Sequence, residues 1–188
     1  MISNYIEVLY NNEYIETERL ILRKFEKKDA VDVYEYGSDP ETIKYISWLG
    51  VNSIDKALKN IIEYYWTRPG IFAIELKLNK KCIGCAELRI IPEHDKASYV
   101  YLINRQYWGK GYATETMQAL YKMCFEKIKL NRVETIHYTG NENSGNVMKK
   151  CGMELEGIKK DELIIKDILR DVVHYGITKK RWILVNKK

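Results

Sequence analysis

The sequence predicts a mixed α/β fold: a mostly antiparallel central sheet flanked by helices. Three observations carry that prediction. Phe72 to Leu78, Lys81 to Ile91 and Ser98 to Asn104 follow one another with short turns between them, as in an antiparallel meander. At Tyr112 the pattern turns helical, with apolar residues at Ala113, Met117, Leu120, Tyr121, Cys124, Phe125 and Ile128. Beyond that helix the chain reads strand, short helix, strand, strand.

Taken in order, residues 1–16 form a leading segment, either strand-like or a short helix. Glu18 to Phe25 alternates polar and apolar residues and is a first strand. Asp29 to Gly37 reads as a helix, broken by Ser38-Asp39-Pro40. Ser53 is an N-cap for a second helix running towards Trp66, with Arg68-Pro69-Gly70 as its stop. Asn79-Lys80 and Pro92–Lys96 are the turns of the meander. Arg132 to Tyr138 is a strand, and Asn143 to Lys150 a short helix ended by Gly152, suited to a left-handed C-cap. Glu154 to Lys159 and Asp171 to Thr178 close the order β-α-α-β-β-β-α-β-α-β-β. With no repeat and no Pro/Gly/Ser-rich linker, residues 1–188 read as one domain.

Composition narrows the classes. Hydrophobic residues make up 46% and charged residues 30%, an ordinary globular mix. The net charge of +5 favours a polyanionic ligand but is too weak to argue nucleic-acid binding. No stretch approaches the roughly eighteen apolar residues of a membrane span, and Met1 to Tyr5 lack a basic start followed by an apolar run. A cytoplasmic location is the default expectation. Cys82 and Cys85 have C-x-x-C spacing, but no second ligand pair follows, and residues three apart on a strand point to opposite faces. These, Cys124 and Cys151 are read as reduced cysteines, and no metal is expected. His94, His137 and His174 are scattered over a turn and two strands and are assigned no role.

The informative stretch is Tyr99 to Thr114: a strand, a turn with Gly109 and Gly111, then the amphipathic helix. Glycines let a backbone turn tightly and bring its N–H groups close to a ligand. The first N–H groups of the following helix lack intrahelical partners, and its dipole favours negative charge there. Such a turn suits a phosphate or pyrophosphate, or it is simply a tight structural turn. Lys110 adds a cationic contact or is solvated. The Walker A pattern fails because Gly109-Lys110 is followed by Gly111. The dinucleotide fingerprint fails at position 114, which is Thr.

Gln106-x-x-Gly109-x-Gly111 resembles the Q/R-x-x-G-x-G/A acetyl-CoA motif of the GNAT acetyltransferases. Tyr107 to Glu115 (YWGKGYATE) is similar to the form found in the ribosomal-protein N-terminal (alanine) acetyltransferase branch. Three further blocks resemble that branch in the same order: Thr17 to Arg23 (TERLILR), Asn141-x-x-Ser144-x-x-Val147-x-x-Lys150-x-Gly152-Met153 with Met153 for the usual Phe, and Arg170 to Val173. The resemblance spans residues 17–182 and implies the GNAT fold, acetyl-CoA as co-substrate and acetyl transfer to a primary amine. A protein N-terminus or a small amine such as a polyamine or aminoglycoside is the implied acceptor.

By that resemblance, backbone groups from Trp108 through Gly109, Lys110, Gly111, Tyr112 and Ala113 hold the pyrophosphate. Main chain at Leu102 and Ile103 pairs with the pantetheine arm as an added strand. Asn141 and Ser144 hydrogen-bond the cofactor from the other side, and Lys150 approaches a phosphate. The thioester oxygen meets a backbone N–H near Ile103, in oxyanion-hole fashion.

Catalytic side chains are less defined. The glutamate that many members carry early in the strand before the turn is Ser98 here, and the tyrosine acid of the second block is Met148. Glu87, Ser98 and Tyr101 are catalytic candidates by position alone. Residues 34–68, with Tyr36 and Trp48 foremost among their aromatics, are expected to wall the acceptor side. A silent acyl-CoA-binding protein is the alternative reading, and monomer and homodimer both stay open.

Overall fold

The computed structural model describes residues 2–186; Met1, Lys187 and Lys188 lie outside them. Eight strands form one sheet: β1 (Ile15–Glu16), β2 (Leu20–Arg23), β3 (Ile71–Leu76), β4 (Cys82–Ile91), β5 (Lys96–Ile103), β6 (Arg132–Tyr138), β7 (Glu154–Ile165) and β8 (Ile168–Thr178). Their order is β1-β2-β3-β4-β5-β6-β8-β7, and every neighbouring pair is antiparallel except β5 with β6. Six helices accompany it: α1 (Ile2–Asn11), α2 (Ala30–Gly37), α3 (Ile54–Asn60), α4 (Tyr112–Lys122), α5 (Glu142–Lys150) and α6 (Lys179–Asn186).

Apolar residues sort onto the two faces of the sheet. Met117, Leu120 and Tyr121 of α4 and Met148 of α5 pack with Leu20, Ile74, Ile83, Leu88, Tyr99 and Tyr175 on one face. Val33 and Tyr36 of α2 and Ala57 of α3 pack with Ala73, Cys82 and Leu102 on the other. Covered on both sides, β3 is buried along its whole length, which a continuous apolar run allows. Its one carboxylate, Glu75, accepts from Arg23 Nε (2.8 Å), while the rest of that guanidinium forks onto Asp29 at 2.7 and 2.8 Å. Local signals behave as the sequence predicts: Ser53 Oγ accepts from the Lys56 N–H, and Gly152 takes φ +83°.

The leading segment resolves into a helix because Tyr5, Val8 and Leu9, at helical spacing, reach the core beside Met123–Ile128, the stretch that follows α4. The two longest predicted helices each end in a π-helical stretch, Ile61–Tyr65 and Met123–Ile128. Two further elements were not legible. The short edge β1 pairs with β2, and α6 has no marked apolar stripe and docks through Trp182 on Phe125, with ring centroids 5.3 Å apart. The last hairpin is longer than expected, β7 continuing to Ile165.

The C-x-x-C pair needs correction. The β3–β4 register slips by one residue between Ile74 and Glu75, where Ile74 pairs with Gly84 but Glu75 with Cys82. This bulge inverts the alternation, so Cys82 and Cys85 point to the same face and join one apolar cluster. Both are free thiols. Among the described residues no cluster of three or more His, Cys, Asp or Glu is placed to hold a metal ion, and no helix is long and apolar enough to cross a membrane.

Candidate active site

The site is built on a parting of two strands. Parallel β5 and β6 pair only at Lys96–Arg132, Ala97–Val133 and Ser98–Glu134. Where they part, Thr135 Oγ1 donates to the Tyr99 carbonyl at 2.6 Å, a side-chain bond in place of the next backbone rung. The stretch from Tyr99 to Ile103 keeps its other partner, β4, with Leu102 opposite Cys85 and Ile103 opposite Gly84.

That register decides which backbone groups face the gap. The Asn104 N–H donates to the Ile83 carbonyl at 2.7 Å. Antiparallel alternation then commits Leu102 to Cys85 and turns the amides of Tyr101 and Ile103 into the gap. The expectation for Leu102 is corrected accordingly: its backbone is committed to β4 and its side chain is buried against α2 and α3, so the amides that face the gap are those of Tyr101 and Ile103. The Ile103 carbonyl accepts from the Trp108 indole at 2.6 Å, leaving the Ile103 N–H to the gap.

The turn after β5 is held by Asn104, nearly buried, whose Oδ1 accepts from the Gln106 N–H (3.0 Å) and whose Nδ2 donates to Glu35 (2.8 Å). Gly109 and Gly111 then adopt φ +75° and +82°, the left-handed region that a side chain strains. Among the described residues, the N–H groups of Gly109, Lys110 and Gly111 have no backbone acceptor. Those of Tyr112 and Ala113 open α4 and so lack intrahelical ones. These donors sit beside the mouth of the gap. The Lys110 ammonium lies 5.0 Å over the Tyr107 ring.

The opposite lip is the start of α5. Asn141 stands at its N-cap, yet its side chain makes no capping bond. One turn on, Ser144 Oγ accepts from the Tyr101 hydroxyl at 3.2 Å. Lys150, exposed at the far end of α5, lines a groove with Glu115, Gln118 and Lys122 of α4. Met148, where many relatives of the motif carry tyrosine, is buried core.

The three catalytic candidates are not brought together. Glu87 and Ser98 lie on the face of the sheet towards α2 and α3, whereas Tyr101 faces α4 and α5. Glu87 accepts from Arg89 through both oxygens, at 2.7 and 2.8 Å. Ser98 sits in the stretch of β5 paired on both sides. Burial pushes the Tyr101 phenol up to about 12, against the opposing bond to Ser144, so it stays protonated at neutral pH. Burial likewise pushes the Cys151 thiol to about 12, which removes the thiolate a covalent route would need.

On the acceptor side, Tyr36 is corrected from a wall residue to a core one: it is 0% exposed, its ring edge-on to Trp48. Trp48 is half-buried and packs at Gly37, near the end of α2. The segment after α2 reaches both lips of the gap. Thr42 Oγ1 accepts from the Arg105 N–H at 3.1 Å, and Tyr45 lies beside Gly140. The Lys166 ammonium, from the turn after β7, donates to the Ile43 carbonyl at 2.8 Å. No local pattern announces these contacts, because each joins residues more than sixty positions apart.

Comparison with known proteins agrees with this geometry. The family described as acetyltransferase (GNAT) domain matches residues 19–154. The chain is 32% identical to the uncharacterized N-acetyltransferase p20 of Bacillus licheniformis, over 90% of this chain and 98% of that protein. It is 29% identical to the ribosomal protein uS5 alanine N-acetyltransferase of Escherichia coli, over 55% of this chain and 54% of the other. A GNAT-family acetyltransferase of Bacillus anthracis superposes with a TM-score of 0.81 at 30% identity, covering 89% of this chain and 99% of that one.

Proposed function

Because this chain belongs to the GNAT acetyltransferase family, we propose that it transfers the acetyl group of acetyl-CoA to a primary amine, with a protein N-terminus as its acceptor class. The parting of β5 and β6 beside the glycine turn carries this reading. It leaves a slot edged by the Tyr101 and Ile103 amides, with the N–H groups of Gly109 to Ala113 at its mouth. An extended amide-bearing arm with a pyrophosphate at one end fits both parts.

Acetyl-CoA supplies the thioester. The residues assigned to hold it are Gly109, Lys110, Gly111, Tyr112 and Ala113 at the phosphates, Tyr101 and Ile103 along the arm, and Asn141, Ser144 and Lys150 from α5. The thioester stands at the end of the arm away from the pyrophosphate, so the deeper of the two gap-facing amides, that of Tyr101, is the donor assigned to the carbonyl oxygen where negative charge develops. Tyr101, kept protonated by burial and steadied by Ser144, is the proton source for the departing sulfur.

Acceptor chemistry supports the N-terminal class. An α-amino group with a pKa of about 7.7–8.0 is roughly a tenth to a fifth neutral at pH 7, whereas a lysine near 10.4 is almost wholly charged. With Glu87 tied to Arg89, an acceptor that needs little help losing its proton is the better match. The partial likeness to an alanine N-acetyltransferase points the same way.

The test is release of CoA thiol from acetyl-CoA with N-terminal peptides, polyamines and aminoglycosides, using Gly109→Val as control. Turnover on peptides, lost in the control, supports the reading. Turnover confined to polyamines or aminoglycosides overturns the acceptor class.

A further inference from the structure

Glu115, in the first turn of α4, is a carboxylate at the very helix end assigned above to a pyrophosphate. Left unpaired, it would repel that ligand. Both of its oxygens are paired. One oxygen accepts from the Thr17 hydroxyl (2.6 Å) and the Arg19 backbone N–H (2.8 Å), and the other from Arg19 Nε (2.7 Å). Arg19 then reaches past it, donating from Nη1 to the Lys110 carbonyl at 2.9 Å. Its guanidinium lies 4.7 Å over the Tyr112 ring, and Nη2 sits 3.3 Å from where a Cβ on Gly111 would be.

The bond to Lys110 has a geometric consequence. Within a trans peptide the carbonyl and the next N–H point in opposite directions, and none of the described peptides is cis. Holding the Lys110 carbonyl on Arg19 therefore turns the Gly111 N–H away from Arg19. The left-handed Gly111 leaves that peptide little intrinsic preference of its own. We propose that Arg19 is a positioning residue for the cofactor: it aims the Gly111 amide at the phosphate and cancels the charge of Glu115. The inference rests on the cofactor reading above and deepens it.

Arginine suits both tasks because its fork can serve a carboxylate and a carbonyl at once, which a lysine ammonium on one stem serves poorly. The pairing also explains why residues before β2 bear on a turn ninety positions later. Neither residue lies in the gap itself, so the effect should fall on cofactor affinity and leave acceptor affinity alone.

The experiment is calorimetric titration of CoA into wild type, Arg19→Met, Arg19→Lys and the double variant Arg19→Met/Glu115→Gln, with thermal melting of each without ligand. The expected result is a loss of affinity of roughly ten- to hundredfold in Arg19→Met, as for a charged hydrogen-bonded group removed. Arg19→Lys should recover only part, and the double variant should bind CoA more tightly than Arg19→Met because the uncancelled carboxylate is gone. Melting temperatures separate that order from a general loss of stability: Arg19→Met must bind CoA more weakly than wild type at a temperature where both are fully folded. Wild-type affinity in a folded Arg19→Met or Arg19→Lys would overturn the inference while leaving the cofactor site standing. No CoA binding by wild type would overturn both.

Discussion

The Tyr101 hydroxyl donates to Ser144 Oγ at 3.2 Å, joining the two lips of the gap at the level where β5 and β6 have ceased to pair. Burial raises the pKa of a phenol so placed, against the opposing Ser144 bond, and keeps it protonated at neutral pH. Tyr101→Phe should lower kcat by about 10²-fold or more, with the KM for acetyl-CoA little changed. Steady-state rates at saturating acceptor check this, and an unaltered kcat would remove Tyr101 from the reaction.

The same shift makes a pH prediction. With the Tyr101 pKa near 12, its protonated form is the working one across the neutral range and well above it. The kcat profile should therefore show no loss attributable to Tyr101 between pH 7 and about pH 10, by which an unperturbed tyrosine would be about half ionised. A descending limb near pH 10 that disappears in Tyr101→Phe would contradict this.

Trp48 is half-buried beside the core residue Tyr36 and is the partly exposed aromatic of that pair, the one proposed for the acceptor side. Trp48→Ala should raise the KM for the amine several-fold more than that for acetyl-CoA. Equal changes in the two constants would return Trp48 to the core.

At Gly84, β4 runs close against β5: a Cβ there would stand 2.1 Å from the Leu102 carbonyl oxygen. Gly84→Ala must push β5 towards the gap. The expected cost is about 1–3 kcal/mol of stability, read by urea denaturation, together with weaker CoA binding because the Ile103 amide moves.

The buried trio of Arg23, Asp29 and Glu75 offers a stability test away from the gap. Arg23→Met strands two carboxylates whose side chains are 1% and 5% exposed, at a cost of about 3–5 kcal/mol. A midpoint of denaturation close to wild type would show that the network contributes little.

Much of the fold was legible because its signals are local. The Ser53 cap, the glycine at 152 and the period change at Tyr112 each depend on residues within about ten positions, and all stand where the pattern puts them. The glycine turn at 109–111 belongs to the same class, since two glycines and a helix start build it from consecutive residues. What misled were inferences that assumed regular alternation. A single bulge opposite Ile74 and Glu75 moved Cys82 and Cys85 onto one face. Likewise, whether Leu102 or Tyr101 faces the gap rests on the register with β4, which the residues of β5 alone cannot state.

The amino-acid sequence by itself determined the family, the mixed sheet and the glycine turn, because ordered motifs and hydrophobic periods are properties of neighbours along the chain. Tertiary structure decided the rest. It put Tyr36 in the core and Trp48 at its edge, set Tyr101 against Ser144, and brought Arg19 to Glu115 across 96 positions. Contacts between distant segments depend on how sheet and helices pack, and no local spacing encodes which side chain will meet which.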